Sequence, residues 1–419
     1  MFRFIHTADI HLDSPLKGLE VHEDAPVNEI RGATRRAFDN LIDLAIEEAV
    51  DFVLIAGDLY DGDWKDYNTG LFFVRQMSRL DKAGIKVFII SGNHDASNQI
   101  TKTMPLPDNV RLFSHRKPQS MKIDDIGVII HGQSYASRVV LDNLALEYPQ
   151  HDPDYFNIGL LHTSLTGREG HESYAPCTLD QLKSRGYDYW ALGHVHKREI
   201  PSQDPWIIFP GNVQGRHIKE AGAKGATLVT VQDGSITTVD ERALDVLRWV
   251  TCQVDLSECD TIDRVYDAIR QAFEQELDSV DGKILALRLV LTGRCGTHAQ
   301  LFSRMAQYTE EFRAIAVGIG DIWLEKVVFQ TNRKVSLKEV VGENTPIAGL
   351  LQSIDSLELD GDSLLEFVPE LAVLKSKLPP DIHSIDEPFL DTSSDKIAEL
   401  RTEVQELLIA KLLQHESDR

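Results

Sequence analysis

The first residues of the chain carry four side chains that can bind a metal ion. His6, Asp9, His11 and Asp13 lie within eight residues of one another in the stretch FIHTADIHLDSPL. Imidazole and carboxylate groups are common protein ligands of divalent cations. In an extended chain residues i and i+2 point to the same side, so Asp9 and His11 can face one ion. The stretch therefore predicts part of a metal site.

Four further motifs with the same ligand types follow along the chain: AGDLYDGD, SGNHD, LLHTS and LGHVH. The five motifs together supply seven candidate ligands, which are Asp9, His11, Asp58, Asn93, His162, His194 and His196. Each motif follows an apolar stretch, and ligands in α/β proteins gather at the carboxyl ends of strands. Gly57, Gly92 and Gly193 precede the polar groups, where a turning chain needs backbone freedom. We therefore expect the motifs to meet at one site.

The number and type of these ligands indicate which ions the site would hold. Seven ligands are too many for one tetrahedral ion, but they fit two ions that share a bridging carboxylate, as in phosphatases and nucleases. The set contains histidine, aspartate and one asparagine amide, without thiolate. Such a mixture favours Mn²⁺, with iron or Zn²⁺ as alternatives. The motifs therefore predict metal-dependent hydrolysis of a phosphoester.

The order of the motifs, D-x-H, GD, GNHD, H and GHxH, resembles that of the calcineurin-like metallophosphoesterase superfamily. The longer stretches GDLYDGDWKDYNTG, LLHTSLTGREGHESYAPC and FPGNVQGRHIKEAGAKG resemble the YhaO-type, SbcD-like bacterial DNA repair exonucleases. The resemblance covers about residues 1–240. It implies an α/β fold, a four-layer α/β/β/α sandwich, and hydrolysis of phosphodiester bonds in DNA.

The resemblance also implies a role for each ligand. One ion would be held by Asp9, His11, Asp58 and His196. The other would be held by Asp58, Asn93, His162 and His194, with Asp58 as the bridge. His94 would be a catalytic imidazole that protonates the leaving oxygen or stabilises the phosphorane, and Asp95 would orient His94.

Other polar residues of the motifs are assigned smaller roles. Arg216 and His217 are candidates for contact with the substrate phosphate, because arginine suits bidentate phosphate binding. His6 is expected to be packed or hydrogen-bonded within its strand, and Asp13 to support the loop that follows. Asp61 stands where the repair nucleases often have a second histidine. A carboxylate cannot stabilise a phosphate charge as an imidazolium does, but it can orient His94 or a water.

The elements that position these motifs alternate between strands and helices in the first 240 residues. Strands are predicted at RFIHTA, FVLIAGD, KVFIISG, GVIIHG, NIGLLHT, YWALGHV, WIIFPG and ATLVTV. Helices are predicted at RRAFDNLIDLAIEEAV and TGLFFVRQMSRLDKAG, with Gly84 ending the second. This alternation is typical of α/β domains. The later strands have little helix between them, which predicts some antiparallel pairing.

Three segments are expected: a catalytic domain over 1–243, a small α+β capping domain over 244–341, and an acidic linker with a C-terminal helical segment over 342–419. The final predicted helix carries Ile397, Leu400, Val404, Leu407 and Leu408 on one face. This apolar stripe either packs on the chain itself or on a second copy, which would give a homodimer, or binds a partner. The resemblance implies a coiled-coil, SMC-like ATPase as that partner.

The charge of the chain keeps other function classes open. The formal net charge is −23, and residues 341–419 alone hold 17 Asp/Glu against 6 Lys/Arg. Such acidity counts against nucleic-acid binding by the whole surface and favours nucleotides or other small phosphoesters as alternative substrates. The extra length beyond the catalytic domain favours DNA instead. A regulatory subunit of an ATPase complex is a third alternative, against which the complete ligand set argues.

The remaining composition concerns the cellular location. The four cysteines, Cys177, Cys252, Cys259 and Cys295, form no CxxC pair, which suits a reducing cytoplasm. No apolar run reaches the roughly 18 residues that a membrane-spanning helix needs. The first residues lack the form of a signal peptide. We therefore expect a cytoplasmic protein without membrane association.

Overall fold

A computed structural model describes residues 1–14, 32–61, 67–97, 105–166, 174–280 and 282–334, with isolated residues beyond them. The strands are β1 (Phe2–Thr7), β2 (Phe52–Ala56), β3 (Lys86–Ile90), β4 (Val110–Leu112), β5 (Gln119–Ile123), β6 (Val128–Gly132), β7 (Phe156–His162), β8 (Tyr189–Gly193), β9 (Glu199–Gln203), β10 (Trp206–Phe209), β11 (Gly225–Gln232), β12 (Ser235–Ala243), β13 (Leu247–Asp255), β14 (Ile284–Thr292), β15 (Arg294–Cys295), β16 (Ile322–Phe329) and β17 (Asn332–Arg333). The helices are α1 (Ala33–Glu47), α2 (Tyr67–Lys82), α3 (Leu179–Lys183), α4 (Ile262–Asp278), α5 (His298–Ser303) and α6 (Met305–Ile319).

Strands β1 to β12, which lie between Phe2 and Ala243, form two six-stranded sheets. The first has the order β12-β11-β1-β2-β3-β4, and the second has the order β5-β6-β7-β8-β10-β9. Strands β1 to β4 are parallel to one another, as are β6, β7, β8 and β10. Because parallel strands end at the same edge of a sheet, the loops after β1, β2 and β3 lie side by side, as do those after β7 and β8.

The two sheets pack face to face, with helices outside. Phe4 of β1 and Tyr189 of β8 belong to the apolar core between the sheets, and their rings meet edge to face at 5.2 Å. On the outer face of the first sheet, Phe38 of α1 and Met77 of α2 are buried in a second core. On the outer face of the second sheet, Leu182 of α3 is buried in a third core with other apolar residues. The predicted four-layer α/β/β/α sandwich is confirmed.

All eight strands predicted in the first 240 residues are present, and both helices lie within two or three residues of their predicted limits. The predicted antiparallel pairing occurs between β11 and β1, and between β11 and β12. Strands β4, β5, β9 and β12 were not predicted. Each lies at the edge of its sheet, and β12 is largely exposed. Edge strands carry polar residues that hide the apolar pattern on which the prediction depends.

The chain divides into two compact units. The first contains Met1–Thr251, Glu276–Arg288 and Asp321–Glu325, and the second contains Cys252–Gln275, Leu289–Gly320 and Lys326–Arg419. Strands β13, β14 and β16 form one sheet in the order β13-β14-β16. In the second unit Tyr266 of α4 packs edge to face against Phe312 of α6, with 6.2 Å between their ring centroids. The apolar pattern of AQLFSRMAQYTEEFRAIA predicts a single helix, but the structure divides this stretch at Arg304 into α5 and α6.

The C-terminal tail is described at few positions. Ile397, Arg401, Val404 and Leu408 are helical; Ile397 is buried, and Val404 and Leu408 are exposed. Leu400, Leu407, the predicted linker LPPDIHSIDEPFLDTSS and the predicted boundary at residues 341 to 342 lie outside the described residues. Among the described helices, none has both the length and the hydropathy to cross a membrane.

Candidate metal centre

The seven predicted ligands lie at the carboxyl ends of five parallel strands. Asp9 and His11 follow β1, Asp58 follows β2, Asn93 follows β3, His162 ends β7, and His194 and His196 follow β8. Five of the seven are buried, and the two after β8 are half-buried. The two sheets therefore each contribute ligands from the same end of the sandwich.

The loops that follow β1 and β2 run together through backbone hydrogen bonds. The Asp9 N–H donates to the Gly57 carbonyl at 3.0 Å, and the His11 N–H donates to the Asp58 carbonyl at 3.0 Å. Asp9, His11 and Asp58 have φ angles of 50°, 47° and 53°. Residues with a Cβ rarely adopt this left-handed region, and such conformations cluster at functional sites. The backbone is therefore held in a costly form where it presents three candidate ligands.

The glycines beside the ligands serve two different purposes. Gly57 has a φ of 91°, so it supplies the predicted backbone freedom. Gly193 shows no such conformation; a Cβ there would lie 1.9 Å from the Ala56 carbonyl oxygen. That oxygen accepts a hydrogen bond from His162 Nδ1 at 2.9 Å. Close approach of the two sheets, and not backbone freedom, is therefore what requires glycine at 193.

Ligand atoms converge in three groups, within each of which all atoms lie within 4.8 Å of one another. The groups are Asp9 with His11 and His196, His11 with Asp58 and His94, and Asp58 with His162 and His194. The Asp58 carboxylate thus belongs to two groups, with Oδ2 lying 4.0 Å from His11 Nε2 and 3.5 Å from His162 Nε2. This is the arrangement that a bridging carboxylate requires.

The donor set fits cations. Because His162 Nδ1 donates to the Ala56 carbonyl, its neutral ring has a lone pair on Nε2, which lies 2.9 Å from the Asn93 amide oxygen. His11 Nε2 and His196 Nε2 likewise face each other at 3.2 Å. In the tautomers that leave these Nε2 atoms unprotonated, the atoms of each pair lie close enough together to bind one cation. The residues present therefore fit divalent metal ions.

The charges of the centre are strongly coupled. Burial raises the pKa of Asp9 to about 6, although His196 and His162 oppose the shift. Burial alone would lower the pKa of His162, but the Asp58 carboxylate outweighs it and raises that pKa to about 9. Two buried carboxylates with so little solvent need positive charge beside them. Divalent cations would supply it.

The structure corrects the predicted role of Asp95. Its carboxylate accepts hydrogen bonds from the backbone N–H groups of Leu59, Tyr60 and Gly92 at 3.2, 2.8 and 3.1 Å. Asp95 therefore ties the loop after β2 to the loop after β3. The residue beside His94 Nδ1 is Asp61, whose Oδ1 lies 2.8 Å away. Asp95 begins a turn of 3₁₀ helix and points back towards β2, so adjacency in the sequence misled the prediction.

His94 is held beside the ligands by its backbone and its ring. Its N–H donates to Asp58 Oδ1 at 2.9 Å, and its ring meets the ring of His11 edge to face at 4.9 Å. Burial lowers the pKa of His94, but the contact with Asp61 and the charge of Asp58 raise it above the ordinary value overall. The position of His94 and the direction of its pKa shift agree with the predicted role of a proton donor.

Arg216 and His217 lie at the rim of the centre. Arg216 Nη1 is 3.8 Å from Asp61 Oδ2, and its Nη2 is 3.1 Å from Glu220 Oε1. The His217 side chain is 54% exposed, and its Nε2 lies 3.5 Å from the same glutamate oxygen. Arg216 therefore reaches the side of the centre where His94 and Asp61 lie, whereas His217 faces solvent.

His6 and Asp13 are placed as the sequence predicts. His6 is buried, with Nδ1 2.9 Å from the Tyr189 hydroxyl and Nε2 3.0 Å from the Leu192 carbonyl. Asp13 accepts hydrogen bonds from Arg35 and Thr69, at 2.7 Å from Arg35 Nε, and so supports the loop after β1. Neither belongs to the three groups of ligand atoms.

Glu220 is a residue of the centre that the sequence analysis missed. It is buried, and its Oε1 lies 2.6 Å from His196 Nδ1. Lys224, also buried, donates to the His196 carbonyl at 3.1 Å. Both residues lie in FPGNVQGRHIKEAGAKG, whose resemblance to the repair nucleases was the available signal. Nothing in the types or spacing of these charged residues distinguishes them from a solvated surface.

Comparison with known proteins agrees with this geometry. Residues 2–198 match the family described as calcineurin-like phosphoesterase, and residues 249–332 match the family described as metallophosphoesterase YhaO, middle domain. An uncharacterized metallophosphoesterase YhaO from Bacillus subtilis is 40% identical over 294 residues, which are 69% of this chain and 71% of that protein. The chain belongs to the YhaO family of calcineurin-like metallophosphoesterases. The resemblance found in the sequence is confirmed.

Two further proteins are less similar to this YhaO-family chain. The DNA double-strand break repair protein Mre11 of Sulfurisphaera tokodaii is 28% identical over 261 residues, which are 58% of this chain and 63% of that protein. The chain thus spans less than two thirds of that relative. The crystal structure of a dimetal phosphatase from Danio rerio matches with a TM-score of 0.35 and 10% identity, covering 55% of this chain and 93% of that one.

Family membership and geometry together establish the class of reaction. This YhaO-family chain is a metal-dependent phosphoesterase and therefore a hydrolase. The family implies a pair of divalent metal ions, and the described residues contain groups that fit them.

Proposed function

We propose that the protein is a two-metal phosphodiesterase that cleaves DNA, as an exonuclease or endonuclease in DNA repair. The observation that carries the proposal is the position of Asp58, whose Oδ2 lies 4.0 Å from His11 Nε2 and 3.5 Å from His162 Nε2, between candidate ligands of the two ions. One ion would be held by Asp9, His11, Asp58 and His196, and the other by Asp58, Asn93, His162 and His194. Mn²⁺ is the proposed ion, because the set combines oxygen and imidazole ligands; iron and Zn²⁺ are alternatives.

Each part of the centre has a place in the reaction. The ions would lower the pKa of a water and neutralise the phosphoryl oxygens. His94, beside Asp58 and paired with Asp61, protonates the leaving oxygen. Asp61 keeps the His94 ring in place through the 2.8 Å contact at Nδ1, so that Nε2 can carry the transferred proton. Arg216, at the rim, binds a phosphate oxygen with its guanidinium.

DNA is the proposed substrate for two reasons. The chain is similar to a protein described as a DNA double-strand break repair protein, and this similarity covers 58% of the chain. Residues 249–332 also match a family domain of their own, which a phosphodiesterase for small substrates does not require. The net charge of −23 favours the alternative, a phosphodiesterase for nucleotides or other small phosphoesters.

We further propose three functional segments and a partner. Residues 1–243 would be the catalytic domain, 244–341 the capping domain, and 342–419 a linker with a partner-binding helical segment. The proposed partner is a coiled-coil, SMC-like ATPase, and a second copy of the chain is the alternative. A basic partner surface would complement the acidic tail. A cytoplasmic location is supported by the four cysteines, which are buried and form no disulfide among the described residues.

Hydrolysis of three substrates tests the proposal. Single-stranded DNA, duplex DNA and bis-p-nitrophenyl phosphate would be compared with Mn²⁺, and His94→Ala would show any contaminating nuclease. We expect hydrolysis of DNA and of the small diester by the unaltered protein. Hydrolysis of the small diester alone would support the alternative substrate class. Failure with all three would support the regulatory role in an ATPase complex and contradict the proposal.

A further inference from the structure

Glu220 makes several contacts that join a candidate metal ligand to the rim of the centre. It ends a short 3₁₀ helix, Ile218–Glu220, and is 6% exposed. Its Oε1 lies 2.6 Å from His196 Nδ1 and 3.1 Å from Arg216 Nη2. Its Oε2 accepts hydrogen bonds from the backbone N–H of Arg216 and from Asn212 Nδ2, both at 2.8 Å. Both carboxylate oxygens therefore have fixed donors.

We propose that Glu220 is a positioning residue that sets the tautomer of His196 and holds Arg216 at the rim. An ionised carboxylate only accepts hydrogen bonds, so the His196 nitrogen beside it must carry the proton. In a neutral ring the other nitrogen, Nε2, then has the lone pair with which it can bind a metal ion. That nitrogen faces His11 Nε2 at 3.2 Å. The inference rests on the proposed two-metal function.

Arg216 does not change this assignment. Its Nη2 lies 3.2 Å from His196 Nδ1, and a guanidinium donor there would suit the opposite tautomer. The contact between Nδ1 and the Glu220 carboxylate is shorter, at 2.6 Å, and involves a charged acceptor. Without a proton on Nδ1, this nitrogen and the carboxylate oxygen would be two acceptors only 2.6 Å apart, so the carboxylate decides the tautomer. The Arg216 guanidinium instead bonds to Glu220, so the one carboxylate satisfies both neighbours.

The loop that carries Glu220 is held by other parts of the first unit. Trp249 Nε1 donates to the Gly215 carbonyl at 3.0 Å, and the Gly222 N–H donates to the Trp249 carbonyl at 2.9 Å. Gln214 bonds to the backbone at Val246 and Leu247. These contacts fix the loop on both sides of Glu220 without using a metal ligand. The glutamate is therefore positioned before any ion binds.

Glu220→Gln separates positioning from packing, because it keeps the size of the side chain. Two donors, the Arg216 N–H and Asn212 Nδ2, face Oε2, so the amide oxygen of the glutamine would turn towards them. The amide NH₂ would then donate to His196 Nδ1 and move the ring proton to Nε2. A ring with its proton on Nε2 cannot bind an ion through that atom. Glu48→Gln is the matched control, since Glu48 bonds to Arg3 and Arg242 away from the centre.

Two readouts test the inference. In metal-free protein at alkaline pH, ¹⁵N NMR of the His196 ring should show the proton on Nδ1 in the unaltered chain and on Nε2 in Glu220→Gln. In calorimetric titration with Mn²⁺, Glu220→Gln should lose about 10- to 100-fold in affinity for one of two ions, and Glu48→Gln should lose none. Melting of the metal-free proteins would show that both variants fold.

The outcomes separate this inference from the proposed function. An Nε2 proton on His196 in the unaltered chain would overturn the inference, and this readout does not depend on whether the variant folds. Equal Mn²⁺ affinity in Glu220→Gln and the unaltered chain would overturn it too. If the unaltered chain binds no pair of ions, the two-metal function itself fails.

Discussion

His94 and Asp61 are proposed to act in proton transfer without binding a metal ion. His94→Ala should leave the metal content near that of the unaltered protein, because it removes no assigned ligand. Turnover should fall by about 10²- to 10⁴-fold, the usual contribution of a positioned proton donor. Elemental analysis and the rate on bis-p-nitrophenyl phosphate measure the two effects. Loss of metal from His94→Ala would show that His94 is a ligand.

Asp61→Asn tests whether Asp61 supports proton transfer by His94 through its contact with His94 Nδ1. Asparagine keeps the shape of the side chain but removes its charge, so the charge-assisted contact with His94 becomes a neutral one. We expect turnover to fall by about 10- to 100-fold, since such a contact contributes roughly 1.5–3 kcal/mol. His115→Gln, an exposed histidine, is the control. Unchanged turnover in Asp61→Asn would remove Asp61 from the catalytic account.

Residue types and order predicted which polar side chains lie close together, but not the residues that hold them in place. Each ligand follows an apolar strand, and this local pattern can be read in the sequence. The contact between Asp61 and His94, and that between Glu220 and His196, join residues 33 and 24 positions apart. Neither pair has a local pattern, because loop conformations bring them together. Asp95 was misassigned for the same reason.

At the scale of elements, the strands carry buried histidines that make the fold sensitive to acid. His131 of β6 is buried, with Nδ1 2.8 Å from the Ser120 hydroxyl and Nε2 3.3 Å from the Asn157 amide oxygen. Burial lowers its pKa from 6.5 to about 4, although Asn157 opposes the shift. Its ring also stacks on Tyr187, with 4.5 Å between the ring centroids.

The direction of the pH effect follows from this lowered pKa. Below pH 6.5 the unfolded chain gains a proton at His131 that the folded chain refuses until about pH 4. The free energy of unfolding therefore falls across this range, by about 3 kcal/mol for this residue. Urea unfolding at pH 6.5 and pH 4 measures this fall in the free energy of unfolding. The fall should be smaller by about 3 kcal/mol in His131→Gln than in the unaltered chain. In His115→Gln it should equal that of the unaltered chain. An equal fall in the free energy of unfolding in His131→Gln and the unaltered chain would contradict the assignment of this pH effect to His131.

The burial of each strand within its sheet explains which strands could be predicted from the sequence. Strands in the middle of a sheet are buried on both faces, so β2 and β8 appear as continuous apolar runs in the sequence. Strands at the edges, such as β12, alternate weakly and carry charges. Arg304 divides one predicted helix into two although the apolar pattern continues across it.

At the scale of the whole molecule, the acidic tail is the segment to which we assign the partner. A chain that ends near Pro380 should fold, bind metal and hydrolyse a small diester at the normal rate. It should lose its hold on a coiled-coil ATPase and most of its action on long duplex DNA. Pull-down from the native cytoplasm with full and truncated chains, followed by melting curves of both, measures this. A truncated chain that unfolds, or that still binds the same ATPase in the pull-down, would contradict the partner-binding role. The apolar stripe would then pack within the chain or between two copies.

The most direct test of the central claim is the metal content of Asp58→Asn. An asparagine cannot bridge two cations as a carboxylate does, so the variant should lose both bound ions and its activity with them. Elemental analysis of dialysed protein should find two ions per unaltered chain. Asp188→Asn is the control, because that carboxylate accepts the Asn157 N–H at 2.7 Å outside the three ligand groups. An Asp58→Asn variant that keeps two ions and remains active would contradict the two-metal account.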